Sequence, residues 1–214
     1  GMAGINEAEA ELNSVETYSI TVFSGDRERF VPEASQIHIK MIINKNAQTV
    51  IGAYVCGKSN EVSKKLDVLI TSIYSGITVS ELSALNFTYH PTISAIKDSL
   101  NIAGMTACDY SDGLTNLASL ENSESERDIF ILDVRNKRER EKSMVMNSKW
   151  IPLSELRARL DELPKDNNIY IYGNVGLRGY VAERILKNNN FKNVFNISGG
   201  ITSIKINENI ENNY

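Results

Sequence analysis

The chain has 214 residues, of which 42% are hydrophobic and 23% are charged, as is typical of a globular protein that can bury one or two cores. No apolar run reaches the roughly 20 residues that span a bilayer, and a formal net charge of −4 argues against a nucleic-acid partner. The N-terminal sequence has no apolar signal-peptide core, so we expect no membrane partner and a cytoplasmic location; Gly1 before Met2 is typical of a tag remnant and is set aside.

The first half of the chain predicts an antiparallel sheet with helices over one face. An acidic helix is predicted over 6–12, and alternating apolar and polar residues predict strands over 18–23, 36–44 and 49–56. The spacing of apolar residues predicts helices over 62–75, with Gly76 as C-cap, from Thr78 onward, and from 92 to about 106. These elements indicate an α+β domain.

The cysteines and histidines do not have the spacing of a metal site. Cys56 and Cys108 form no CxxC pair, and His38 and His90 are far apart in the sequence. Each cysteine is interpreted as an idle thiol, because no neighbouring base or cation is evident in the sequence. The alternative keeps Cys108 or Cys56 as the acceptor in a sulfurtransferase or a thiol/persulfide redox enzyme.

The second half predicts a parallel α/β domain. Residues 109–127 are polar and typical of a linker. After them, strands are predicted over 128–134, 169–172 and 194–197. A helix capped by Ser154 is predicted to end near Leu163. A further helix is predicted after the strand over 169–172, and a short helix after the strand over 194–197. The charged run 135–142 is interpreted as a solvated helix face. Alternating strands and helices imply a sheet covered on both faces, with the site at the carboxyl ends of the strands.

A glycine-rich loop connects the strand over 169–172 to the following helix. The loop consists of Gly173, Asn174, Val175, Gly176, Leu177, Arg178 and Gly179. A strand, a glycine-rich loop and a helix in this order aim backbone N–H groups at one point, and such a point attracts anions. The loop is therefore predicted to be an anion cradle, and Arg178 is either part of the anion site or an ordinary surface charge.

The first half resembles the C-terminal dimerisation domain of pyridine nucleotide–disulfide oxidoreductases, in the coenzyme A-disulfide reductase, NADH oxidase and persulfide reductase branch. The matching segments are Gly4–Ala10, the strand pair over 37–56, Asp67–Thr71, Gly76–Val79 and Tyr89-His90-Pro91. The resemblance covers residues 4–108 and implies a homodimer formed through them. It also implies that Tyr89 assists the active site of the partner subunit, although His90-Pro91-Thr92 departs from the family's pattern.

The resembled parent needs cofactors that this chain is not expected to bind. In that family the FAD- and NADH-binding portion precedes this domain, and no GxGxxG opens a βαβ unit here. FAD, NADH and coenzyme A are therefore implied only for a full-length parent, with a flavoprotein domain or subunit as partner. An expressed fragment and a natural remnant stay open as explanations.

The second half is similar to a rhodanese-like domain over about residues 115–206. The similarity is carried by Asp133-Val134-Arg135, Ile151-Pro152-Leu153, the loop from Tyr172 to Arg178, and Ser198-Gly199-Gly200-Ile201. Rhodaneses have a cysteine as the first loop residue, and its thiolate accepts sulfur. Gly173 occupies this position. The segment 143–150 also departs from the family, because it has neither the turn glycines nor the histidine that are usual there.

The resemblances predict domains over 4–108 and 128–206, joined by the linker over 109–127 and followed by a polar tail over 207–214. Asp133 and Arg135 are expected to form a structural pair that supports the loop. The leading hypothesis is a dimerisation and rhodanese-like module without catalytic activity of its own and without a metal. The alternatives are the cysteine-dependent enzyme and an anion-binding or docking module.

Overall fold

The structure is a computed structural model that describes residues 1–119 and 129–211, with side chains described as far as residue 206. The chain divides into two compact units, Gly1–Asp112 and Gly113–Tyr214. The fold class predicted from the sequence is confirmed, since an antiparallel sheet with helices is followed by an α/β unit with a parallel sheet. Within the described residues, no helix is both long enough and apolar enough to cross a membrane.

The first unit is an antiparallel sheet with the strand order β1-β4-β3-β2. Its elements are β1 (Met2–Gly4), α1 (Glu7–Leu12), β2 (Thr17–Gly25), β3 (Gln36–Asn44), β4 (Val50–Gly57), α2 (Glu61–Ser75), α3 (Val79–Ala84) and α4 (Ser99–Ser111). Alternate residues of β2, β3 and β4 are buried, as expected for a sheet with one covered face. Gly76 ends α2 with a φ of 65°, and Thr78 and Glu81 form a capping box at the start of α3.

Two elements of this unit differ from the prediction. Strand β1 was missed because its three residues are too few to show alternation; it pairs with β4, and the Gly1 amino group donates to the Val55 carbonyl at 2.8 Å. Helix α4 starts at Ser99 rather than Thr92. The reason is the N-cap residue, Asp98. Its carboxylate accepts a hydrogen bond from the Leu100 N–H and also forms an ion pair with buried Lys65.

The second unit has a parallel sheet with the strand order β5-β9-β8-β6-β7. Its elements are β5 (Leu117–Ala118), β6 (Ile129–Asp133), α5 (Lys137–Lys142), β7 (Lys149–Trp150), β8 (Asn168–Tyr172), α6 (Leu177–Lys187), β9 (Val194–Ile197) and α7 (Gly200–Glu211). One face packs against a core that includes Ile185 and Leu186 of α6, and the other against Ile201 and Ile204 of α7. The sheet is therefore covered on both faces.

The boundaries of the second unit also differ from the prediction. The range predicted as linker begins inside α4 and contains β5, which pairs with β9; its remainder, 120–127, lies outside the described residues. The helix predicted after Ser154 is wrong. Two 3-10 turns, Leu156–Ala158 and Leu160–Glu162, take its place. Each turn is held by i→i+3 hydrogen bonds, and neither has a side-chain cap. The tail predicted over 207–214 is helical as far as Glu211.

Candidate functional site

The glycine-rich loop lies at the carboxyl end of β8, where the chain turns into α6. None of the N–H groups of residues 173–179 donates to a backbone carbonyl in the part of the chain that the structure describes. The carbonyl groups of the loop are engaged instead. Gly173 O accepts the Ile201 N–H at 3.0 Å, and Asn174 O accepts the N–H and the hydroxyl of Thr202 at 3.2 and 2.9 Å. The loop thus points two of its carbonyls at α7, and its N–H groups have no backbone carbonyl partner among the described residues. An anion cradle needs such N–H groups, and the cradle stays a prediction.

Two other glycines hold this loop in shape. Gly176 has a φ of 103°, which L side chains rarely adopt. Gly200 has a φ of 59°, and a Cβ atom there would lie 2.6 Å from the Gly173 carbonyl oxygen. Both positions therefore require glycine.

Gly173, in contrast, stands where a larger residue fits with a small adjustment. Its φ is outside the left-handed region. A Cβ atom built on it would lie 3.1 Å from Arg178 Cβ and 3.2 Å from Gly179 N, so these neighbours would have to yield by a few tenths of an ångström. The backbone therefore still accepts a side chain at the position where rhodaneses have their cysteine.

Arg178 is held by an acid rather than directed freely at the loop opening. Its guanidinium donates to both carboxylate oxygens of Glu139 in α5, at 2.7 and 2.6 Å. These hydrogen bonds from Arg178 lower the pKa of Glu139 below its usual range. The positive charge expected from the sequence at this loop is thus largely neutralised, and the available anion-binding groups are the backbone N–H groups.

A buried ionic cluster lies beneath the loop, and Asp133 is at its centre. Arg135 donates to Asp133 Oδ1 through Nε at 3.0 Å and to Oδ2 through Nη2 at 2.8 Å. Oδ2 also accepts from Tyr172 Oη at 2.8 Å and from Arg140 Nη1 at 3.2 Å. Burial acts to raise the pKa of Asp133, but the hydrogen bonds from Arg135 and Tyr172 outweigh it, so the pKa is below its usual range.

The same cluster fixes the segment 143–150, which departs from the rhodanese pattern. Tyr172 Oη accepts the Val145 N–H at 3.2 Å and lies 3.1 Å from Ser148 Oγ. Arg135 donates to the Ser143 carbonyl at 2.7 Å. Without its turn glycines, the segment is therefore held by side chains of the cluster.

In the first unit, Tyr89 lies on an apolar surface. Its side chain is 47% exposed, and Phe30, Ile93 and Ile96 are more exposed still. A hydrogen bond links the segment that contains Phe30 to the segment that contains Ile93 and Ile96, since Glu28 Oε1 accepts the Ile96 N–H at 2.9 Å. These exposed apolar residues lie within residues 4–108, through which the homodimer is predicted to form, and an interface there would cover them.

The two cysteines have different surroundings. Cys56 is exposed, and its Sγ lies 3.5 Å from His38 Nδ1 on the neighbouring strand. Cys108 is half-buried, and burial raises the pKa of its thiol. The Cys56–His38 pair was not predicted from the sequence, because it depends on the antiparallel register that places the two residues opposite each other. Among the described residues, no group of three His, Cys, Asp or Glu side chains could hold a metal ion.

Both halves of the chain match known families. Residues 1–100 match the dimerisation domain of pyridine nucleotide-disulphide oxidoreductases, and residues 114–207 match the rhodanese-like domain. The structure of reduced CoADR-RHD from Bacillus anthracis is 33% identical with a TM-score of 0.87, over 94% of this chain and 36% of that one. A NAD-dependent persulfide reductase from A. fulgidus is 36% identical with a TM-score of 0.84, over 93% of this chain and 36% of that one.

A curated sulfurtransferase of Allochromatium vinosum is 31% identical over 74 residues, which are 35% of this chain and 69% of that protein. The chain spans only about a third of the length of the two solved proteins, and about a quarter of the coenzyme A disulfide reductases of Staphylococcus haemolyticus and Staphylococcus aureus. These matches confirm the resemblance predicted from the sequence for both halves.

Proposed function

We propose a function that proceeds from the family of each unit. The first unit belongs to the pyridine nucleotide-disulphide oxidoreductase dimerisation family, and the second belongs to the rhodanese-like family. The chain is accordingly a dimerisation and binding module of a flavin-dependent coenzyme A-disulfide or persulfide reductase. In this proposal the first unit pairs two subunits, and the second performs no covalent sulfur transfer. The protein works in the cytoplasm, where its two unpaired cysteines would stay reduced.

The observation that carries this proposal is Gly173. Covalent sulfur transfer in a rhodanese needs a thiolate at the first loop position, where the loop N–H groups stabilise the persulfide anion. Here the N–H groups are available and the nucleophile is missing. Both cysteines of the chain lie in the first unit, outside this loop.

FAD and NADH enter the proposal only through a flavoprotein domain or subunit. The glycine-rich loop of this chain has the sequence GNVGLRG, which follows β8 and whose last three residues form the start of α6. This spacing does not match the GxGxxG that opens a dinucleotide-binding fold, so the loop does not fit those cofactors. Tyr89, exposed beside Ile93, is the residue proposed to reach the partner's active site.

The test is thiocyanate formation from thiosulfate and cyanide by three forms of the full chain. We expect no turnover by the natural chain and a gain of turnover by Gly173→Cys, because the cradle accepts a Cβ and can hold the sulfur. Gly173→Ser is the matched control, since it places the same backbone strain and an oxygen where the sulfur would be. Turnover by the natural chain that is abolished by Cys108→Ser or Cys56→Ser would overturn the proposal in favour of the cysteine-dependent enzyme.

The available N–H groups favour a second candidate, in which the loop binds a small anion without chemistry. Sulfate, thiosulfate and coenzyme A are the probes, titrated by calorimetry into the natural chain and into Gly200→Ala. The added methyl group would collide with the Gly173 carbonyl and distort the loop, so binding should weaken in the variant. If none of the probes binds at millimolar concentration, this candidate is excluded.

A further inference from the structure

A cavity beside α5 has no role in the function proposed above. Its volume is about 450 Å³, and it is lined by Lys137, Arg140, Glu141, Ser143, Met144 and Trp150. No residue of the glycine-rich loop belongs to this lining. All six lining residues come from α5 and from the segment 143–150, which departs from the rhodanese pattern.

The floor of this cavity is apolar because its main polar groups already have partners inside the protein. Trp150 Nε1 donates to the Arg135 carbonyl at 2.9 Å. Arg140 donates to Asp133 at 3.2 Å and to the Ser148 carbonyl at 3.1 Å. What remains for a ligand is therefore the indole ring, the methylene groups of Arg140 and the thioether of Met144, which suit an apolar side chain.

The exposed surface of α5, the helix that supplies half of the lining, is predominantly basic. Within α5, Glu139 is paired with Arg178 and Arg140 points at Asp133, so neither adds a free charge to the surface. The exposed charged residues of α5 are then three basic and one acidic: Lys137, Arg138, Lys142 and Glu141. Lys137 and Glu141 line the cavity, whereas Arg138 and Lys142 lie on the same helix outside its lining. Lys137 lies at the limit of ion-pair distance from Glu141, at 4.0 Å.

Exposed methionines extend the apolar floor beyond the cavity. Met144 and Met146 are 59% and 80% exposed. Methionine side chains are flexible and polarisable, and they occur on surfaces that adapt to peptides. The surface thus combines one apolar cavity, exposed methionine side chains and a predominantly basic helix beside the cavity.

We propose that this surface binds an acidic protein segment, with one apolar side chain of the segment inserted between Trp150 and Met144. The basic residues are spread along the length of α5, about 9 Å for its six residues, whereas the apolar hole is single. A ligand must therefore carry several carboxylates around one apolar group, and a polypeptide does this where a small anion does not. Carboxylates of the segment pair with Lys137, Arg138 and Lys142.

Trp150 makes the proposal directly measurable, because it is the only tryptophan of the chain. The probe is a short peptide of glutamates with one central leucine, titrated into the full chain while Trp150 fluorescence is followed. We expect a saturable change in fluorescence. The double variant Arg138→Glu, Lys142→Glu should weaken binding about tenfold or more, since two attractive contacts become repulsive.

Two controls separate this surface from non-specific attraction. Lys165→Glu, Lys192→Glu makes the same change of charge at exposed positions of the second unit away from the cavity, and it should bind the peptide as the natural chain does. A peptide with alanine in place of the leucine should bind about tenfold more weakly, because the apolar contact with Trp150 is lost. The proposal is overturned if the two charge variants bind alike, if the alanine peptide binds as well as the leucine peptide, or if inorganic phosphate gives the same saturation.

Discussion

Replacing Asp133 by asparagine is expected to destabilise the second unit by about 3–5 kcal/mol, because it leaves buried Arg135 without its counter-charge. Asp133 is fully buried and Arg135 is 1% exposed, so water cannot replace the lost partner. Tyr172→Phe removes a single hydroxyl from the same cluster and leaves the Val145 N–H without its acceptor. We expect about 1–3 kcal/mol from that change.

The dependence on pH identifies the charge as the cause. The pKa of Asp133 is lower in the folded chain than in the unfolded one. Its contribution to stability is therefore complete above the unfolded pKa, about 3.9, and is lost as the pH falls through the folded value. The asparagine variant should lose its stability deficit relative to the natural chain as the pH is lowered through this range.

Urea unfolding at several pH values, followed by the fluorescence of Trp150, measures both effects. Trp150 is a suitable reporter because its indole N–H bonds directly to the Arg135 carbonyl. Glu162→Gln is the control, since Glu162 forms ion pairs with Arg159 and Lys149 at the surface, and surface pairs contribute little. If Asp133→Asn lay within about 1 kcal/mol of the natural chain at neutral pH, the cluster would not support the loop in the way the geometry indicates.

Three further predictions concern other parts of the chain. Light scattering at micromolar concentration should give the mass of a dimer. The double variant Phe30→Glu, Ile96→Glu should shift this mass toward that of the monomer, because charges on the apolar surface of the first unit oppose pairing. A natural chain that is already monomeric would contradict the prediction. Iodoacetamide should modify Cys56 faster than Cys108, since Cys56 is exposed and the burial of Cys108 keeps its thiol protonated; mass spectrometry of the two peptides decides the order, and equal rates would refute it. Gly200→Ala should lower the free energy of unfolding by more than Gly113→Ala, as measured by thermal denaturation. Both positions have a positive φ, 59° and 70°, so each alanine carries backbone strain of about 1–3 kcal/mol, but only the Cβ added at Gly200 also collides with a backbone atom, the Gly173 carbonyl oxygen.

Short-range patterns predicted most of the elements that place the candidate site. The apolar run over 169–172, the glycines that follow it and the helical spacing after them are local features, so β8, the loop and the start of α6 could be derived before the structure. The helix predicted after Ser154 failed for a related reason. Leu156, Leu160 and Leu163 have spacings that an α-helix and two successive 3-10 turns satisfy equally well, and only packing distinguishes them.

The interactions that give the site its chemistry could not be predicted in this way. Glu139 and Arg178 are 39 residues apart in the sequence, and their pairing follows from the position of α5 beside the loop. Asp133 and Arg135 could be paired from the sequence because only one residue separates them. The hydrogen bonds of Tyr172 and Arg140 to Asp133 could not be predicted without the fold. The same holds for the short distance between Cys56 and His38.

The two sides of the loop's peptide groups serve different parts of the protein. The carbonyls of Gly173 and Asn174 accept hydrogen bonds from the first turn of α7, while the loop N–H groups donate to no backbone carbonyl among the described residues. The docking of α7 on these carbonyls therefore also fixes the other side of the same peptide groups, whether or not a sulfur is bound. Because Gly173 accepts a Cβ atom after its neighbours shift by a few tenths of an ångström, a side chain could return to this position without rebuilding the loop.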